Sequence, residues 1–294
     1  MQTTQSVFVE LPPEFETGSY LLYNPDLSGL SAQALAAHYE THGRAEGRRA
    51  NALGSRIDFA GLILPDADAL EIGPFCSPLL HGRHTKYFEV LPQATLRERA
   101  ESFGIPAADV PRIDYVSPTG DLSVVDRAFD VVLSSHCLEH QPDVVGHLRS
   151  VERLLRPGGR YFLLIPDRRY CFDHYLSDSS LADVVEAFEQ RRTYHTLKSV
   201  LEHRVLTTHN DSRRHWAGDH GTFMEDFQTR MAGALAEYGA VAGGYVDVHA
   251  WYFTPESART VFAALRALDY TRFEIERLYP TRRGENEFWL VLRS

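Results

Sequence analysis

Apolar runs and polar breaks alternate along the middle of this chain with the rhythm of strands and helices. Short apolar runs lie at 67–72, 87–88, 113–116, 131–133 and 161–165. Each is too short for a helix and ends in acidic, small or glycine residues, as strands do. Between the fourth and fifth, residues 143–155 place Val144, Leu148, Val151 and Leu155 on one face of a helix. Arg153 and Arg156 suit its negative carboxyl end, and Pro157-Gly158-Gly159 is expected to stop it. The run Tyr161 to Ile165 is apolar throughout, as in a strand covered on both faces.

Outside this centre the pattern changes three times. Residues 1–18 are polar, carry Pro12-Pro13 and read as an extended arm. Ser31 is a plausible N-cap for a short helix ending near Gly43, and 55–64 suggest a further short helix. Residues 168–250 lose the strand rhythm. They predict helices near 180–205 and 223–238, separated by a His- and Arg-rich loop at 209–220. The rhythm returns with a helix over 255–268, carrying Val261, Leu265 and Leu268 on one side, and strands at 273–279 and 288–292.

Composition narrows the classes. At 294 residues the chain can hold one large domain with an appendage. Its net charge of −10 argues against a phosphate-backbone partner, so no nucleic acid is expected. Three scattered cysteines make no disulfide framework and fit a reducing compartment. No basic-then-apolar leader and no apolar run near ~18 residues is present. The expected location is the cytoplasm, with no membrane span.

In an open α/β sheet, ligands bind at the carboxyl ends of the strands. There the sequence puts Glu71-Ile72-Gly73-Pro74, Glu89, Gly120-Asp121-Leu122, Ser135-His136 and Pro166-Asp167. Taken with FDVVLSSHCLEHQPD and LRPGG, this order over roughly 66–167 resembles the class I S-adenosylmethionine-dependent methyltransferases, in their type 11-like branch. The resemblance implies an α/β, doubly wound, Rossmann-like sheet of seven strands with an antiparallel last strand, carrying a helical insertion and a small N-terminal cap. It divides the chain into an arm and cap at 1–54 and a methyltransferase domain at 55–294, with a lid at about 168–250. The family's usual second and third loop glycines are Phe75 and Ser77 here.

The implied cofactor is S-adenosyl-L-methionine. Glu71, Gly73 and Pro74 would form its loop, and Glu89 would accept from the ribose diol. Gly120, Asp121 and Leu122 would lie against the adenine, and Ser135 and His136 beside the methionine part. The stretch PDRRYCFD is similar to that branch's PDKRYTFD, which puts Asp167, Arg168, Arg169, Tyr170 and Asp173 on the acceptor side; His215 joins them as a substrate candidate. A second segment, with Tyr20-Leu21, Pro25-Asp26, His38-Tyr39, Gly43 and Glu46-Gly47-Arg48, resembles a small module of bacterial glycan-assembly proteins.

The chemistry adds one requirement. Methyl transfer from a sulfonium is an in-line displacement, and a hydroxyl acceptor must lose its proton to a positioned base. Histidine suits that task, and His136 and His249 are the two catalytic candidates. His136-Cys137-Leu138-Glu139-His140 also spells the H-x-x-E-H signature of a zinc peptidase class, which needs a helix. Because it follows a strand directly, and because the fourteen histidines follow no ligand template, no metal ligand is assigned.

The function expected is O-methylation of a sugar, nucleotide sugar or glycosylated metabolite, with a small-molecule or glycan acceptor. Nitrogen or carbon methylation of a secondary metabolite, and a noncatalytic scaffold in glycan assembly, remain as alternatives. A homodimer is the assembly to test.

Overall fold

The computed structural model describes residues 7–8 and 10–294; residues 1–6 and 9, part of the expected arm, lie outside them. A seven-stranded sheet forms the centre, in the order β3-β2-β1-β4-β5-β7-β6. The strands are β1 (Ala69–Ile72), β2 (Thr85–Glu89), β3 (Tyr115–Val116), β4 (Phe129–Ser135), β5 (Leu155–Pro166), β6 (Glu274–Tyr279) and β7 (Glu287–Arg293). The first five pair in parallel, and β7 is antiparallel to both β5 and β6. The expected Rossmann-like sheet is therefore present.

The period-two alternation of strands sorts side chains between two layers. On one face Val132, Tyr161, Leu163, Ile165, Phe288 and Leu290 meet the buried stripes of two long helices. On the other, Val131, Leu133, Phe162, Leu164, Trp289 and Val291 meet Phe59, Leu62 and Leu11. The ten α-helices among the described residues are α1 (Thr17–Tyr23), α2 (Ala32–His38), α3 (Arg56–Ala60), α4 (Gln93–Ser102), α5 (Val144–Leu154), α6 (Leu181–Glu189), α7 (Leu197–Val205), α8 (Ser212–Trp216), α9 (Phe227–Ala240) and α10 (Pro255–Ala267). None of them is long and apolar enough to cross a membrane.

Helix ends follow local chemistry. Asp143 caps α5 by accepting from the Gly146 N–H, and Thr254 closes a capping box with Ser257 ahead of Pro255. The expected stop at Pro157-Gly158-Gly159 is corrected. Helix α5 ends earlier, because Leu155 is already extended and pairs with Phe129. A proline disfavours helical backbone in the residue before it, here Arg156. That arginine turns away from the helix end and pairs with Asp68 and Asp130. Leu268 is likewise not on the buried stripe of α10; it is the exposed C-cap residue.

Ser31 caps α2 as expected, and α1 and α2 enclose their own small core of Tyr20, Leu27, Leu35 and Tyr39. The module-like residues serve this packing. Arg48 reaches Asp26 through two bonds, and a Cβ on Gly43 would lie 2.0 Å from the Tyr20 hydroxyl oxygen. The segment docks beside the ends of β6 and β7, where the Gly47 carbonyl accepts from the Arg283 N–H at 2.8 Å. The 180–205 stretch is two helices broken around Arg191, which has φ +52°. The His-rich loop contains α8. Within the insertion, α7 and α9 bury Val200, Val205, Ala234, Val246 and Val248.

Candidate functional site

The strand order reverses between β1 and β4, which is where open α/β sheets bind ligands. A cavity of about 250 Å³ opens there, at the carboxyl ends of β1, β2 and β4. Gly73, Phe75, Glu89, Gly120, Leu122, His136 and Cys137 line it from the sheet side. Tyr245 and Asp247, from the end of the insertion, and Arg99 of α4 line it too.

Two buried carboxylates hold the loop after β1. Glu71 accepts from the N–H groups of Leu79 and Leu80, and Glu89 from those of Phe75 and Val90. Burial pushes the Glu71 carboxyl up to about 7 against its two backbone bonds. Burial also raises Glu89, against the bonds from Phe75 and Val90 and the charge of Arg99. These bonds explain how the loop manages without glycine at position 75. Phe75 takes φ +43° all the same, and its N–H is fastened to Glu89 at 2.9 Å. Gly73 has φ +71°, and a Cβ there would lie 2.4 Å from Cys137 Sγ.

The donor candidates divide by position. Gly73, Glu89, Gly120, Leu122 and His136 line the cavity, whereas Glu71, Pro74, Asp121 and Ser135 do not. Glu71 and Pro74 are buried, Glu71 bracing the loop from behind. The Asp121 carboxylate bonds the N–H and hydroxyl of Ser123, which lowers its pKa and turns it from the cavity. The Ser135 carbonyl accepts from Cys137 Sγ. The cavity nevertheless fits the implied cofactor: a buried carboxylate reaches it with one bond filled on each oxygen, so each keeps accepting capacity for a diol.

At the end of β4 the chain turns sharply, with His136 at φ +52°. Its Nε2 lies 2.7 Å from Glu287 Oε2, and Arg56 also reaches that carboxylate. Its Nδ1 is 3.7 Å from Glu139 Oε1, beyond hydrogen-bond length. Burial pulls the His136 pKa down, but the Glu287 bond and the charges of Glu139 and Glu287 outweigh it, and the net shift is upward. Glu287 is pulled down to about 2; burial opposes this, and the His136 bond and the charges of His136 and Arg56 overcome it.

The other base candidate, His249, is buried and does not line the cavity. Its Nδ1 lies 2.7 Å from Asp173 Oδ2, and burial drops its pKa to about 3.

The acceptor candidates do not gather around the cavity either. Asp167 is fully buried and takes bonds from Arg169 and the Thr281 hydroxyl. Arg168 pairs with Asp178 and bonds the His174 carbonyl. Tyr170 stacks on Trp216 with ring centroids 3.8 Å apart. His215 is buried against His220 and the His209 carbonyl. Asp167 ties the start of the insertion to Thr281 after β6, and the other contacts hold the insertion to itself. Sequence reasoning missed Glu287, Tyr245, Asp247 and Arg99. The alternation Tyr245-x-Asp247-x-His249 was a usable signal for an extended wall, and nothing local marks Glu287.

A methyltransferase-domain family matches residues 77–163, which include β2, β4 and α5. No curated protein matches the chain in sequence. Among solved structures, a glycopeptide N-methyltransferase, MtfA, complexed with S-adenosylmethionine is 24% identical over 37% of this chain and 48% of its own, with a TM-score of 0.28. The present chain thus spans about half of that protein's length. An S-adenosylmethionine-dependent methyltransferase from Mesorhizobium loti is 18% identical over 78% of this chain and 91% of its own (TM-score 0.36). A Burkholderia thailandensis 1,6-didemethyltoxoflavin-N1-methyltransferase is 16% identical over 78% and 71% (TM-score 0.38). The family match does not extend to residues 20–48, and nothing supports their likeness to a glycan-assembly module.

Proposed function

We propose that this S-adenosylmethionine-dependent methyltransferase methylates a hydroxyl of a sugar, nucleotide sugar or glycosylated metabolite. The observation that carries the reading is the state of His136. With Nε2–H donated to Glu287, Nδ1 keeps its lone pair and has no hydrogen-bond partner at the cavity wall. A carboxylate that orients one ring nitrogen so that the other acts as base is an established arrangement for deprotonating hydroxyls. An oxygen acceptor requires such a base, and a neutral amine reaches its nucleophilic state without one. Against the burial that lowers it, the Glu287 bond and the charges of Glu139 and Glu287 raise the pKa of the ring.

When bound, the cofactor supplies an electrophilic methyl group on a sulfonium. Glu89 is the residue proposed to hold its ribose, with Gly73, Gly120 and Leu122 giving close backbone approach. Gln141, Tyr245 and Asp247 offer polar groups to a hydroxyl-rich acceptor on the cavity's other side. The Asp167–Arg169 pair acts from behind this wall as a fastening of the insertion.

The test is transfer of isotope-labelled methyl from S-adenosylmethionine to a panel of sugars, nucleotide sugars and glycosides, alongside amines of matched size. Product methylated at oxygen, lost on His136→Ala with S-adenosylhomocysteine affinity retained, is expected. Methyl groups found only on nitrogen or carbon would replace the oxygen reading. Cofactor binding without turnover, together with a stable complex with a glycosyltransferase, would favour the scaffold.

A further inference from the structure

We propose that Glu139, His140 and His249 form a binding site for a first-row divalent cation. Glu139 is 1% exposed, and neither carboxylate oxygen has a hydrogen-bond partner among the described residues. A buried carboxylate left in that state is costly, and natural sites tolerate it where something absent from the bare chain completes it. One ligand atom from each of the three side chains lies within 4.8 Å of the others. His249 Nε2 and Glu139 Oε1 are 3.9 Å apart. Ligand atoms bound at ~2.0–2.2 Å to one cation stand roughly 3–4 Å from each other, so closure needs only a small movement.

The surrounding bonds already orient these groups for a cation. Asp173 engages His249 Nδ1 at 2.7 Å, which leaves Nε2 as the nitrogen facing Glu139. Carboxylate-held imidazoles of this kind are the usual second layer of metal sites. His203 Nδ1 accepts the His249 backbone N–H, fixing the same residue from its other side. His140 Nδ1 lies 2.9 Å from Asp247 Oδ1, at ion-pair distance. Two imidazoles and one carboxylate suit zinc, iron, manganese or cobalt better than magnesium or calcium, which take mainly oxygen ligands.

The site reinterprets a sequence motif. Glu139 and His140 belong to the H-x-x-E-H string, but that string lies at the end of β4 and in a short turn (Leu138–His140), not on a zincin helix. Its partner, His249, comes from the far end of the insertion. A second trio, His174, His215 and His220, has both nitrogens of its central His215 already engaged, by His220 and the His209 carbonyl, and His174 Nδ1 bonds the Arg169 carbonyl. It serves as the control. His140 also lines the cavity, and His136 Nδ1 stands 3.7 Å from Glu139. Use of the cation to hold an acceptor oxygen there rests on the methyl-transfer reading; binding of the cation does not.

The full chain, stripped with chelator, is titrated with Co²⁺ and with Zn²⁺ in the absence of cofactor. About one equivalent should bind, with a visible Co²⁺ absorption band. Glu139→Gln and His249→Ala should each weaken binding by at least about tenfold, as should Asp173→Asn, which touches only the outer nitrogen of His249. His215→Ala should bind like the parent. Circular dichroism of each variant identifies any that fail to fold, and the remaining two then decide. Absence of binding by the parent protein, unchanged affinity in folded Glu139→Gln and His249→Ala, or uptake abolished by His215→Ala would each overturn the site. Because methyl transfer is not the readout, a failed acceptor screen leaves this result independent.

Discussion

His136 and Glu287, separated by 151 positions in sequence, meet with Nε2 and Oε2 2.7 Å apart. The contact exists because β5 lies between β4 and β7, bringing the carboxyl end of β4 and the first residue of β7 to one edge. Glu287 raises the His136 pKa, so Glu287→Gln should lower it and move the acid limb of kcat/KM to lower pH. The plateau rate should fall as well, because the ring loses its orienting partner. An acid limb that stays in place would exclude His136 as the titrating base.

The same pair makes a stability prediction with two signs. His136 is raised above its ordinary 6.5, so its contribution is complete below that pH and fades as pH rises through the folded-state value. Glu287 is held down to about 2 from an ordinary 4.5, so its contribution is complete above 4.5 and fades as pH falls toward 2. The stability difference between the parent protein and Glu287→Gln should therefore peak between about pH 4.5 and 6.5. Urea unfolding across pH 3 to 9 reads it; a flat difference would contradict the ion pair.

Removing Glu89 should do two things. If its oxygens take the ribose hydroxyls, Glu89→Ala loses ~1.5–3 kcal/mol of binding, about ten- to a hundredfold or somewhat more in S-adenosylhomocysteine affinity. The free protein should lose stability as well, because the carboxylate is 6% exposed and holds the Phe75 and Val90 N–H groups. A lower melting temperature without ligand is expected. Calorimetry on protein shown to be folded separates the two effects, and unchanged affinity there would remove Glu89 from the ribose.

Gly73→Ala carries two penalties that a second substitution can separate. The left-handed backbone costs an alanine about 1–2 kcal/mol, and the added Cβ would lie 2.4 Å from Cys137 Sγ. Cys137→Ala should therefore rescue part of the lost stability and leave the backbone part in place. Denaturant unfolding of the two single variants and the double variant measures the coupling. Additive losses would mean that the loop moves away from Cys137.

Asp167→Asn should destabilise by about 1.5–3 kcal/mol, the usual cost of a lost hydrogen bond to a charged group, since Arg169 is partly exposed. Asp167 is fully buried and joins Arg169 to Thr281, so the loss should loosen the insertion along with the sheet edge. Limited proteolysis within 168–250 at native temperature reports the first, and denaturant unfolding the second. If stability holds while only acceptor KM rises, Asp167 belongs to the acceptor side, as the PDRRYCFD stretch implied.

By itself the sequence determined the sheet and the place of the cavity at the carboxyl ends of its strands. Strand periodicity, helix caps at Ser31 and Asp143, and the glycine and carboxylates ending β1 and β2 are local signals, set by backbone sterics and by which face each residue turns inward. Tertiary structure decided the rest of the site. Glu287 comes from the last strand, Tyr245, Asp247 and His249 from the end of the insertion, and Asp173 from its beginning. No spacing rule links these residues to His136 or Glu139. Their side chains converge because β7 inserts antiparallel beside β5, and because the insertion packs its own core before returning along the carboxyl edge of the sheet. The roles of Asp167 and Arg169 were likewise invisible locally. An Asp-Arg-Arg sequence reads the same whether its charges face a ligand or each other, and only burial distinguishes the two.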